Sequence, residues 1–189
     1  TFRPEAIRGN GQQAAGGVID YRLARMGVVS EYRKGEVAYL RCSDDHHCLA
    51  FYPAAQPGLK RMAFEVQSDE DLEAARRHLK TLGVAYENVP AAEARDLRHR
   101  DSLRFNIPGC GLVMELYSGA ERQLKPFVPS VAQILRLGHI VINISHFDTT
   151  FPWLTERFGF RVSDHIKDQQ GGDTEIAFMR CHPNPYHHS

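Results

Sequence analysis

Apolar positions in the second half of the chain fall into a run of short patterns with alternating β and helical character. Leu137 to Ile144 is β-branched and apolar enough for a buried strand. Ser145-His146-Phe147-Asp148 is a turn in which Asp148 can cap a following helix. Phe151, Leu154, Thr155 and Phe158 then recur at i, i+3, i+4 and i+7, one face of a helix, with Pro152 tolerated in its first turn and Gly159 ending it. Phe160 to Ile166 and Glu175 to Cys181 read as two strands joined by the polar loop Lys167 to Thr174. The predicted order is strand, helix, strand, strand.

The same unit occurs earlier. Ala38-Tyr39-Leu40-Arg41-Cys42 is matched by Ala177-Phe178-Met179-Arg180-Cys181, and each copy runs on to a doubled histidine, His46-His47 and His187-His188. Between the copies, Leu59 to Val66 has a strand pattern, and Ser68 with Asp71 three residues later has the spacing of a capping box. The helix that follows turns Leu72, Ala75, Leu79 and Leu82 inward and Glu73, Arg76, Arg77 and Lys80 outward, and stops at Gly83. Val84 to Val89, Ser102 to Ile107 and Leu112 to Tyr117 supply three strands, the last two joined by the turn Pro108-Gly109-Cys110-Gly111. Glu121 to Ala132, with Pro126 and Pro129, reads as a linker. The first thirty residues fit the repeat poorly, because Ile7-Arg8-Gly9-Asn10-Gly11 is polar and glycine-rich where an opening strand should lie. That strand is expected to be missing or disordered, and only a weak helical pattern covers Val18 to Met26.

Charge narrows the class. With 23 basic and 23 acidic residues there is no overall field to gather nucleic acid or an anionic membrane surface. The apolar runs are strand-sized, short of the ~20 residues a spanning helix needs, and the N-terminal residues carry no apolar signal core, so a cytoplasmic location is expected. Cys42, Cys48, Cys110 and Cys181 show neither CxxC spacing nor scaffold density and read as buried small hydrophobes. Ten histidines are the compositional oddity.

Paired strand-helix-three-strand motifs resemble the vicinal oxygen chelate superfamily, which includes glyoxalase and bleomycin-resistance proteins. Leu137-Gly138-His139-Ile140-Val141-Ile142 and Phe178 to Ser189, with its doubled histidine, resemble the type I extradiol ring-cleaving dioxygenases within it. The resemblance covers roughly Gly27 to Ser189 and implies an α+β fold of paired βαβββ motifs, three of four being present. It divides the chain into a metal-free N-terminal module (1–120), a linker (121–133) and the first motif of a catalytic-type module (134–189).

The resemblance further implies extradiol cleavage of a catechol-type aromatic by O₂ at non-haem Fe(II), more rarely Mn(II). His139 matches the first metal ligand and His188 the histidine that assists proton transfer. The second histidine and the glutamate belong to the fourth motif, which lies outside these residues, so the chain is expected to be an incomplete member. In the first module Glu115 matches the glutamate position, but Arg61 and Ile7 stand where the histidines would be. A guanidinium has no lone pair to give a metal. From the residues themselves, His139, Val141 and Asn143 share one strand face by period two, placing a candidate ligand, a candidate substrate-wall residue and a polar group together. His139 could equally be a strand-end histidine bonded to a carbonyl, and His188 a surface turn histidine. Two other readings stay open: a non-catalytic glyoxalase-like binding protein, and a metal-dependent isomerase or lyase of the same superfamily. An uncovered sheet edge would favour association of copies into a homo-oligomer.

Overall fold

The structure, a computed structural model, describes residues 4–10, 29–129, 134, 137–167 and 174–182. Strands β1 (Pro4–Asn10), β2 (Val29–Lys34), β3 (Val37–Arg41), β4 (Leu49–Pro53) and β5 (Gly58–Glu65) are followed by helix α1 (Asp69–Thr81). Then come β6 (Tyr86–Asn88), α2 (Ala91–Asp96), β7 (Asp101–Asn106) and β8 (Val113–Ser118). The eight strands form one sheet in the order β2-β3-β4-β1-β5-β8-β7-β6. That order is two matched halves: β1 runs parallel to β4, β5 runs parallel to β8, and the halves join through antiparallel β1 and β5. The α+β class is therefore present, and β5, α1, β6, β7 and β8 make one strand-helix-three-strand motif; the segment between β1 and β2 lies outside the described residues.

One expectation fails here. The polar stretch Ile7-Arg8-Gly9-Asn10 belongs to β1, which pairs on both sides, Ile7 opposite Ala50 on β4 and Arg61 on β5. Strand composition is a weak constraint where two neighbours supply a complete hydrogen-bond ladder. The helix expected over Val18 to Met26 lies outside the described residues.

The half built from β5, β8 and β7 has one apolar and one polar sheet face, because residues directly opposite across a ladder share a face. Met62, Phe64, Leu103, Phe105, Met114 and Leu116 form the apolar face, over which α1 lays Leu72 and Leu79. Ser68 caps α1 as its spacing predicts, its side chain accepting from the Asp71 N–H at 3.1 Å. Arg76, expected to face water, is buried instead, its guanidinium donating to Asp101 at 2.9 and 3.0 Å and to Asn88 at 3.0 Å. A long side chain can bury its stem when its charged end meets a carboxylate.

Beyond the linker, helix α3 (Phe147–Pro152) runs into a π turn, Trp153–Arg157, and β9 (Arg161–Lys167) and β10 (Thr174–Arg180) pair as a two-stranded antiparallel sheet. Trp153, Phe158, Phe160 and Met179 pack on the same apolar core as Met62 and Phe64. The buried strand expected over Leu137 to Ile144 is not one: residues 137–144 join no ladder, and His139, Val141 and Asn143 are exposed. In the first module the opening strand is held by the last strand of its own motif and by the opening strand of the next. Leu49, where β4 begins, is seven residues after Cys42; seven after Cys181 is His188, outside the described residues, and the counterpart of β5 would follow later still. Neither ladder partner is among the described residues.

Candidate functional site

Period-two alternation survives in 137–144 without a ladder. Ile140 and Ile142 point into the core shared with Trp153 and Phe160, while His139, Val141 and Asn143 face outward. The segment forms one wall of a cavity of about 210 Å³. Met62, Phe64, Ile107 and Met114 form its floor, Phe147, Phe151 and Leu154 come from the α3 region, and Phe178 and Met179 come from β10. His139 and Asn143 are the polar residues of this largely apolar lining. An apolar hollow with a few polar groups is the common form of a small-molecule site. Phe147 and Phe151 stack with centroids 5.0 Å apart, and His165 meets Phe151 edge-on at 5.8 Å, so the cavity has an aromatic side as well.

Both described candidates from the sequence, His139 and Val141, therefore line one cavity. Val141 is 70% exposed and stands at its mouth rather than on a buried wall. His188 lies outside the described residues. Among the described residues no three His, Cys, Asp or Glu side chains are grouped so as to hold a metal ion. A non-haem iron site needs two imidazoles and a carboxylate, and this cavity offers one imidazole of that set, His139. The donors present do not by themselves fit an iron ion.

The polar face of the first module holds a second cluster. Glu115 is fully buried on β8; Arg61 Nε on β5 lies 2.7 Å from its Oε2, and Arg104 Nε on β7 donates to the same oxygen at 2.6 Å. Arg104 also donates to Glu93 of α2 at 2.7 Å, and Arg61 to the Tyr52 hydroxyl at 3.2 Å. His99 Nδ1 lies 3.3 Å from Glu115 Oε1 and 3.2 Å from Ser102 Oγ. Burial alone would push the Glu115 carboxyl up, but His99, Arg61 and Arg104 outweigh it and hold it below the usual carboxylate range. Burial also pushes the His99 and His47 imidazoles down, against the pull of Glu115 on His99, which favours the neutral form of each. Their rings extend a stack, His47 at 6.1 Å from His99 and His99 at 3.7 Å from Tyr117. Arg61 and Glu115 are thus ion-paired to each other, and the guanidinium stands where a ligand would have to be. The doubled histidine His46-His47 is buried within this network, with its Nδ1 atoms 3.0 Å apart. Pattern reading explained it only as a product of the repeat, since nothing local shows that His99, fifty-two residues on by 99 − 47, will stack against it.

Known proteins point the same way. Residues 59–123 match the catechol 2,3-dioxygenase-like N-terminal domain. The chain is 26% identical, over 90% of its length and 60% of the relative's, to an iron-dependent extradiol dioxygenase of Rhodococcus jostii (strain RHA1). It is 31% identical, over 90% of its length and 52% of the relative's, to a biphenyl-2,3-diol 1,2-dioxygenase of Paraburkholderia xenovorans (strain LB400). The chain is similar, over most of its own length, to extradiol dioxygenases. It spans between half and about three fifths of the length of these curated relatives. The fold agrees: a halotolerant catechol dioxygenase superposes with TM-score 0.82 at 19% identity, covering 98% of this chain and 62% of that one. A Mn(II)-bound glyoxalase from Novosphingobium aromaticivorans gives 0.78 at 21% identity, covering 97% and 58%. Both share the fold of this chain over nearly its whole length. No helix among the described residues is long and apolar enough to cross a membrane.

Proposed function

We propose that the chain is part of an extradiol dioxygenase that opens a catechol-type ring with O₂ at Fe(II), Mn(II) being the rarer occupant. In this reading residues 1–120 are a metal-free module, 121–133 a linker, and 134–189 the first motif of the catalytic module. The observation that carries it is the cavity over the apolar sheet face, with His139 and Asn143 at its edge and Phe147 and Phe151 within its lining. An aromatic ring suits such a lining, and a diol edge would lie toward the polar groups. His139 is one donor to the metal, Val141 contacts the ring at the mouth, and His188 moves the substrate hydroxyl proton as a near-neutral imidazole. A single imidazole does not hold Fe(II), so the other donors belong to segments outside the described residues. On this reading the protein works in the cytoplasm on a small diffusible aromatic, as a homo-oligomer and without nucleic acid or membrane partners.

A second reading has its own support, the close superposition on a glyoxalase: a superfamily member that binds a small molecule, or isomerises it at a metal, without consuming O₂. Anaerobic reconstitution with Fe(II), followed by O₂ electrode traces on adding catechol or biphenyl-2,3-diol, separates the two. Uptake that disappears in His139→Ala supports the dioxygenase. Binding of biphenyl-2,3-diol without uptake supports the second reading, and neither binding nor uptake overturns both.

A further inference from the structure

The loop between β3 and β4 carries a feature that the cavity does not use. Cys42 and Cys48, 3% and 5% exposed, stand at its two ends with their Sγ atoms 3.1 Å apart. The β3–β4 ladder sets Leu40 opposite Leu49, and the Cys48 N–H donates to the Leu40 carbonyl at 2.8 Å, so the chain folds back where the two thiols meet. A disulfide is about 2.05 Å long, so the sulfurs need to close by only about 1 Å. The pairing is special to the first copy of the repeat. Cys181 is the counterpart of Cys42, and six residues after it stands His187 rather than a cysteine.

The same loop grips the segment that leads out of the first module. The Asp44 carbonyl accepts from the Gln123 N–H at 2.9 Å and its carboxylate from the Phe127 N–H at 2.7 Å. The His46 N–H donates to the Glu121 carbonyl at 3.3 Å, Asp45 pairs with Arg122, and Arg41 donates to the Lys125 carbonyl at 3.2 Å. Four residues of 41–46 are thereby joined to five of 121–127.

We propose that Cys42 and Cys48 are a dithiol that a hydroperoxide converts to a disulfide, and that the bond staples the loop holding segment 121–127. One thiol sulfur attacks the peroxide O–O bond, releasing an alcohol or water and leaving a sulfenic acid. The second sulfur then displaces the sulfenic oxygen as water, forming the S–S bond; both thiol hydrogens leave in the products, and the peroxide takes up the two electrons. The hydrogen bond shared with Cys48 holds the Cys42 thiol below its usual range against the opposing effect of burial, which makes Cys42 the sulfur that attacks first.

The test treats the 189-residue chain with hydrogen peroxide, then unfolds it and alkylates the remaining thiols for mass mapping. Cys42 and Cys48 should lose alkylation together, in a chain two hydrogens lighter, and regain it with dithiothreitol while Cys110 and Cys181 stay alkylated. Limited proteolysis within 121–129 should slow about tenfold on oxidation, given the restraint a short closed loop imposes on the opened chain. Cys48→Ala should abolish that response. Sulfinic or sulfonic acid at either cysteine without the disulfide, or two thiols that remain alkylatable, would overturn the dithiol. A disulfide that leaves cleavage of 121–129 unchanged would overturn the staple. The unsubstituted chain decides both points even where the variant fails to fold.

Discussion

Glu115, His99 and His47 give this protein a pH-dependent stability. Two imidazoles are held below the ordinary histidine range by burial, His99 in spite of its carboxylate neighbour. The unfolded chain therefore binds more protons than the folded one as pH drops through about 6.5, and stability falls in that direction. Glu115, with a depressed carboxyl, contributes stability above about pH 4.3 that is lost only as pH falls further, through its lower folded value. Urea unfolding between about pH 8 and about pH 5 should lose stability on the acid side, with a limiting slope of about 1.4 kcal/mol per pH unit for each imidazole. His47→Gln should flatten part of that slope. A stability that does not change until carboxylates titrate would show that the two rings stay solvated. This cluster was half legible in the sequence. Glu115 and Arg61 could be picked out, Arg61 as a residue unable to ligate a metal, but their direct ion pair depends on β5 and β8 being neighbours although the two residues are 54 positions apart in sequence, by 115 − 61.

Turns and caps form the next scale, and the most informative is the β7–β8 turn, Pro108-Gly109-Cys110-Gly111. The pattern identified the turn, but not what lies against it. Gly109 has φ +93°, and a Cβ there would come 2.6 Å from Thr150 Oγ1 on α3, while Gly111 has φ +66° with open space beside it. Both positions favour glycine for their backbone angle, and Gly109 also lets the second module's helix approach. Gly111→Ala should cost about 1 kcal/mol, the ordinary cost of a left-handed alanine, whereas Gly109→Ala should cost about twice that or more because backbone strain and contact add. Thermal melts of the two variants side by side give the comparison. Equal losses would mean that α3 moves aside without cost. By contrast, α1 was almost fully readable, since its cap, its inward leucines and its glycine stop are local. The exception is Arg76, whose carboxylate partner Asp101 comes from β7.

Across the molecule, the first module and residues 137–182 share one core. Phe64 meets Phe160 edge-on at 5.9 Å, Phe105 lies 5.5 Å from Phe158, and His78 Nε2 sits 2.7 Å from the Arg157 carbonyl. Such continuity predicts one cooperative transition. Trp153, the chain's only tryptophan, belongs to the second module, whereas most of the strand signal comes from the eight-stranded sheet. Urea curves followed by tryptophan fluorescence and by far-ultraviolet circular dichroism should coincide. An earlier fluorescence transition would show that the α3 and β9–β10 unit unfolds on its own.

What the amino-acid sequence determined by itself is what rests on local patterns: the repeat, the helix and two strands that follow residue 146, the cap of α1, and the placing of His139 and Val141 on one face. The α+β class follows from those elements, and the resemblance to extradiol dioxygenases from the motifs around His139 and Phe178. Tertiary structure alone decided which strands hold which. It made a central strand of the polar Pro4–Asn10 and left the apolar 137–144 without a ladder, because pairing depends on neighbours rather than on composition. It also decided that Cys42 meets Cys48 and that His47 meets His99. Those contacts join residues that chain folding brings together, and spacing along a sequence carries no record of them.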